Sequence, residues 1–327
     1  MSAGITKTDS MMYVGAKPWH GLGVELDNPA TAEEAIVAAG LDWRVIERPV
    51  YDEASPGFYY QVPKKKLIIR EDTYEIFNVM GEGYTITQNR TKFQLFDSVI
   101  GQGLAVYHIA GSLYGGRRIW ILAKLPYDIE IIPGDTVQPY ILLSDSHDGS
   151  MALRMRLTPI RVVCANTLSV ALSQFGTNFY AKHTRNILTK AGDARAILGL
   201  ADAYFDMFAK QVDELVNTRM TALETQSYFQ KVYQFDQSKP LDKQDHRLIA
   251  AYDKTIDLLS HPTNLIGGIE GTKWAALNAV TYYVDHAKSV SGSEQDQMDR
   301  RLDNSWFGTG SNSGAVIRQR AYDLIMP

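Results

Sequence analysis

Two sets of side chains in this sequence are of types that do chemistry. The first is acid, histidine and thiol: Asp145, His147 and Asp148 in the run SDSHDGS, and Cys164, the only cysteine. Cys164 could pair with His183 as nucleophile and base. It follows Val162 and Val163, however, and precedes a predicted helix start, where a cysteine packs as a small apolar side chain. His147-Asp148-Gly149 reads first as a hairpin turn and second as a metal ligand pair. Asp285-His286 ends a helix, with no partner at ligand spacing. The enzyme signatures fail in turn. There is no phosphate-binding G-x-x-x-x-G-K-S/T, no G-x-S-x-G and no H-E-x-x-H, and one cysteine cannot complete a zinc-deaminase set. The loop GTGSNSG at 308–314 has no preceding strand to make it a nucleotide loop. On this reading no catalytic residue, no metal and no cofactor is assigned.

The second set is basic and aromatic. Residues 151–190 hold Arg154, Arg156, Arg161, Lys182, Arg185 and Lys190 and no acid at all. The whole chain carries 33 Lys and Arg against 37 Asp and Glu, a net −4, so the window stands out against an acidic background. Arg154 and Arg156 lie two apart on a predicted strand and share a face, while Leu153, Met155 and Leu157 turn to the core. Gly115-Gly116-Arg117-Arg118 opens another strand that carries Trp120. This pattern predicts an anion-binding sheet surface. Arg154, Arg156 and Arg161 form its centre, Arg117, Arg118, Lys182, His183 and Arg185 flank it, and Tyr107 and Trp120 offer stacking. The plainer alternative is a solvent-facing arginine pair. Pro63-Lys64-Lys65-Lys66 reads first as a solvated strand edge and second as a phosphate contact.

The elements that must position these residues follow from pattern. Thr31 with Glu34 is a capping box opening a helix that Gly40 stops. WRVIERPVY, YYQV, KLIIR and YEIFNVM are extended, and TKFQLFDSVIG is an amphipathic helix. Two strands flank a turn at 114–116; PYILLSD and MALRMRLTPIRVVC follow as strands. Asn166 is then expected to cap a helix over NTLSVALSQF. From about 186 the pattern is helical, through 186–221, 223–235, 242–259 and 272–290. The expected fold class is α+β, a central antiparallel β-sheet with a β-β-β-α core followed by a helical C-terminal region. The expected parts are 1–58, an N-terminal segment with one helix; 59–190, the α+β core; 191–290, helical; and 291–327, a polar tail. No apolar run approaches the roughly 20 residues of a membrane span, and no secretory signal opens the chain. A cytoplasmic protein is expected.

Beyond these patterns lies a set of motifs. Lys17-Pro18-Trp19-His20-Gly21-Leu22-Gly23, Tyr84-x-x-x-Gln88-Asn89, Gly115-Gly116-Arg117-Arg118 and His147-Asp148-Gly149-Ser150 come first. Arg161-Val162-Val163-Cys164-Ala165-Asn166-Thr167-Leu168, Lys182-His183-Thr184 and Gly271-Thr272-x-Trp274-Ala275-x-x-Asn278-Ala279-Val280-Thr281 complete the set. In this order and spacing they resemble the phage/plasmid-like protein family, domain-of-unknown-function family 932. A more distant, fold-level resemblance is to the Rad-type single-strand annealing proteins, including Redβ and RecT. The resemblances imply a host bacterial cytoplasm, single-stranded DNA as partner and ATP-independent strand annealing in phage or plasmid recombination. They also imply a homo-oligomeric ring or filament, with a phage exonuclease or single-strand binding protein as a further partner. The competing expectations are an enzyme or inhibitor acting on host nucleic acids or defence through Asp145, His147, Asp148 or Cys164, and a structural or regulatory phage factor.

Overall fold

The computed structural model describes residues 11–15, 23–161, 166–167, 178–183, 196, 199–292, 297, 300, 303 and 313–326. The fold is α+β, with largely antiparallel sheets and a helical C-terminal region. By compactness the chain divides into two units. The first is residues 1–126, 141–157 and 176–200; the second is 127–140, 158–175 and 201–327. The units interleave along the chain because residues 127–140 and 158–175 belong to the second, while the N-terminal strand is built into the sheet of the first.

In the first unit, β1 (Met11–Val14) pairs antiparallel with β6 (Val106–Leu113) and parallel with β2 (Val24–Leu26). Helix α1 (Ala32–Ala38) starts where the sequence predicts: the Thr31 hydroxyl accepts from Glu34 N, and Glu34 Oε2 accepts from Thr31 N at 2.9 Å. It ends at Gly40, whose φ of +60° lets Leu41 N reach Ile36 O. A second, three-stranded sheet follows in the order β3 (Val45–Ser55), β4 (Phe58–Arg70), β5 (Ile76–Gly81). Helix α2 (Asn89–Leu104) comes next and buries Phe93, Phe96, Val99 and Ile100. β6 and β7 (Arg118–Lys124) flank the turn at 114–116, as the glycines require. β8 (Ile129–Ile132), which belongs to the second unit, β9 (Asp135–Ser146) and β10 (Leu153–Arg161) continue the chain. The large sheet runs in the order β11-β10-β9-β7-β6-β1-β2, where β11 is Asn166–Thr167. β12 (Asn178–Ala181) pairs with β10 from Leu153↔Ala181 to Arg156↔Asn178. Asn166 does not cap a helix: with Thr167 it turns back and pairs with Ile160 and Arg161. The remainder of that expected helix, Cys164, Arg185, Lys190 and most of 186–198 lie outside the described residues.

The second unit holds the helices α3 (Ala201–Asn217), α4 (Ala222–Val232), α5 (His246–Leu258), α6 (Lys273–Tyr282) and α7 (Gly314–Ile325). Caps come from Thr221 with Glu224, Asp245, Thr272 and Ser313. α6 is buried all round, and its Trp274 indole donates to Asp135 Oδ2 at 3.0 Å. The C-terminal stretch is not wholly a polar tail. Ile317, Ala321 and Ile325 recur at four-residue spacing and are buried, and Arg318 is buried in an ion pair with Asp285.

Candidate nucleic-acid interface

Alternation on β10 is as the sequence dictates. Leu153, Met155 and Leu157 are buried, and Arg154 and Arg156 are half-buried on the other face. β12 adds to that face. Phe179 and Ala181 turn inward, so Tyr180, opposite Arg154, and Lys182 turn outward. Tyr180 is 54% exposed, and the Arg154 guanidinium lies 5.3 Å from its ring centre. Arg154 Nε has no hydrogen-bond partner, and Arg154 and Lys182 form no ion pair among the described residues. A cation held over an exposed ring with no acid to neutralise it is a place for an anion with a flat group beside it.

The structure does not bring the rest of the expected surface to this face. Trp120 and Tyr107 are 2% and 3% exposed. β6 and β7 are interior strands, β7 is covered on both faces, and the Tyr107 hydroxyl donates to Asp97 at 2.7 Å. Neither ring can stack on a base. Arg117 is spent on Glu75 at 3.3 Å, and Arg118 lies over Tyr114. Of Arg161 only the strand backbone is described. His183 is buried, so it is a support and not a contact. Tyr180, the exposed ring on this face, was not singled out in the sequence. Its signal was the alternation Tyr180-x-Lys182 inside the acid-free window.

Behind β12 lies a buried polar cluster that joins four distant parts of the chain. Asp145, at the end of β9, receives Lys92 Nζ at 2.9 Å on one oxygen and His183 Nε2 at 2.8 Å on the other. Lys92, Asp145 and His147 are completely buried. Lys92 Nζ is also 2.8 Å from His147 Nε2, which is 2.8 Å from Asn89 Oδ1. Tyr84 stacks on His183 at 5.0 Å, and its hydroxyl donates to the His147 carbonyl. Thr85 N donates to His183 O. His147 packs against both Trp43 and Phe77, which also touch each other. The motif residues outside the cluster lock the same region. The Gln88 amide bonds both backbone groups of Val45, and Asn89 Nδ2 donates to Leu41 O.

The electrostatics follow from burial. Burial alone would raise the Asp145 carboxyl, but the Lys92 ammonium and the His183 bond outweigh it and hold it below its usual 3.8. Burial lowers Lys92, with Asp145 opposing, and burial together with the nearby Lys92, His183 and Arg70 charges pushes His147 well below 6.5. His147 is thus a neutral imidazole in the folded protein. The acid–histidine residues weighed in the sequence as catalytic do gather here, but under complete cover; only Asp148, in its turn with Ser150, is partly exposed. Asn89 stood in the sequence only as part of the Tyr84-x-x-x-Gln88-Asn89 motif, and Lys92 went unnoticed. Their signal was a polar pair sharing the i, i+3, i+4, i+7 stripe of α2 with Phe93 and Phe96. The cluster ties β9, α2 and the residues just after β12 together and so holds Tyr180 and Lys182 beside Arg154.

Among the described residues no group of three His, Cys, Asp or Glu could hold a metal ion, and no helix is long and apolar enough to cross a membrane. Comparison with curated proteins and with solved structures gives no match. The family described as a domain of unknown function (DUF932) matches residues 76–306, well over half of the sequence, and the chain belongs to it.

Proposed function

We propose that this protein binds single-stranded DNA along the Arg154–Arg156–Tyr180–Lys182 face and anneals complementary strands without ATP, in phage or plasmid recombination. The observation that carries the reading is the Arg154 guanidinium stacked over the exposed Tyr180 ring, with Arg156 and Lys182 on the same face. The cations would neutralise phosphates and release counterions, and Tyr180 would stack one base. No bond is made or broken; the protein would lower the cost of bringing two like-charged strands together. A Rad-type annealing fold and a homo-oligomeric state belong to the same proposal, and the basic sheet face is what supports them.

The test is fluorescence anisotropy with a labelled oligonucleotide across a salt series. Arg154→Ala with Arg156→Ala should weaken binding at least about tenfold and lower the slope of log affinity against log salt by about one to two. Tyr180→Ala should cost about 1–3 kcal/mol with the salt slope unchanged. A folded double variant that binds with wild-type slope would refute the interface.

A further inference from the structure

The β3–β4 hairpin extends beyond the sheet that anchors it. β5 pairs with β4 only from Lys65 to Ile69. The distal residues pair with each other alone: Tyr51↔Gln61, Asp52↔Tyr60, Glu53↔Tyr59 and Ser55↔Phe58. A bulge around Pro63 and Lys64, the latter at φ +57°, separates this arm from the anchored part. Tyr51, Phe58, Tyr59 and Tyr60 are 56%, 66%, 62% and 64% exposed. A two-stranded ribbon is marginal in water by itself, and large aromatics gathered on one mark a contact surface.

The arm's chemistry says what it contacts. From Val50 to Val62 there are two acids, Asp52 and Glu53, and no cation. Paired residues share a face, so Glu53 lies beside Tyr59 on one side and Asp52 beside Tyr60 on the other. Each face thus sets a carboxylate next to an aromatic ring, as a nucleic-acid strand sets a phosphate near a base. The chain carries the complement in Arg154, Arg156, Tyr180 and Lys182. The arm is exposed along its own chain, so it is not seated there.

We propose that the arm of one copy lies on the basic face of a second copy, its carboxylates on the cations and its tyrosines against Tyr180. It would hold that face until nucleic acid displaces it. The displacement rests on the DNA-binding reading above; the self-association does not.

Charge reversal tests the contact in the full chain. At about 50 μM and low salt, where even weak interfaces associate, light scattering should show the wild type as more than a monomer. Asp52→Lys with Glu53→Lys should be monomeric, with an unchanged circular dichroism spectrum because both side chains are exposed. Arg154→Glu with Arg156→Glu should also be monomeric, and exposed Lys182→Glu replaces it should that variant not fold. Mixing the arm variant with the face variant should restore the assembly, since the reversed charges again match. The arm variant should bind single-stranded DNA about threefold or more tightly, its competitor gone. A monomeric wild type, an arm variant that still assembles, or a mixture that does not would overturn the proposal. Assembly that behaves as described while no variant binds DNA would leave the arm contact standing and overturn the displacement.

Discussion

Asp145→Asn removes one negative charge from the centre of the buried cluster and changes little else. The carboxylate sits between Lys92 Nζ at 2.9 Å and His183 Nε2 at 2.8 Å, and Lys92 and Asp145 are both completely covered. The amide can still bond one neighbour, but it leaves the Lys92 ammonium buried with only the Asn89 carbonyl and His147 for company. Breaking such a pair costs about 3–5 kcal/mol, far more than an exposed bridge. At a urea slope of about 2 kcal/mol/M the midpoint of the first unit should fall by about 1.5–2.5 M. Against a total stability of about 5–15 kcal/mol, that loss is large. The assay is urea unfolding followed by circular dichroism, for Asp145→Asn, Lys92→Met and the double variant. Because the two residues form one unit, the double variant should be at least about 1 kcal/mol less harmed than the sum of the singles. A loss below about 1 kcal/mol for Asp145→Asn, or strict additivity, would show that the cluster does not hold the fold.

The same cluster sets an acid limit. His147 is neutral when folded but takes a proton near its ordinary value of 6.5 when unfolded, so its contribution is complete above that pH and declines below it. Asp145 acts with the same sign in a lower window, its contribution complete above 3.8 and lost as pH falls further. In His147→Asn the fall of unfolding free energy just below pH 6.5 should be shallower by up to about 1.4 kcal/mol per pH unit, and an unchanged slope would mean that His147 is charged in the fold. The turn at 114–116 offers a paired comparison by thermal melting. A Cβ on Gly116 (φ +99°) would lie 2.5 Å from the ring of buried Trp43, which is itself packed under Arg70. A Cβ on Gly115, also at positive φ (+69°), would first meet the end of the half-exposed Glu75 side chain, which can swing aside. Gly116→Ala should therefore cost more than Gly115→Ala, by about 1–3 kcal/mol; equal costs would remove Trp43 as the reason.

What the sequence made legible was whatever depends on neighbours in the chain. The Thr31 box, the Gly40 stop, the 114–116 turn and the alternation of Arg154 and Arg156 are each decided within a few residues. What it hid depends on strand order. Trp120 and Tyr180 look alike as aromatic residues next to basic strands. Only the sheet order shows that Trp120 lies on an interior strand, while Tyr180 is on a four-residue strand paired to β10. Lys92, Asp145, His147 and His183 span more than ninety residues; His147 and His183 each fall in a motif, but no local spacing links the four. His147-Asp148-Gly149 does form the expected bend, and its histidine nonetheless turns into the core.

The two polar systems of the first unit differ in burial, and burial decides what each can do. Lys92, Asp145 and His147 are sealed, so the charges of Lys92 and Asp145 and the neutrality of His147 act at full strength on stability, and none of the three meets solvent as folded. Arg154, Arg156, Tyr180 and Lys182 reach the surface, where they add little to stability and can meet a ligand. The link between them is β12 and the residues just after it: Ala181 is inside, Lys182 outside, and His183 inside again on Asp145. Loss of the His183 anchor should therefore free the end of that strand and blunt the proposed DNA binding without touching a proposed contact. The slope of the salt dependence tells the two effects apart. Asp145→Asn, assayed below its unfolding midpoint, should weaken binding at every salt concentration equally, because no phosphate contact is removed. The arginine pair should change the slope. If Asp145→Asn also lowered the slope, the cluster would be part of the binding surface itself, and the burial argument would fail.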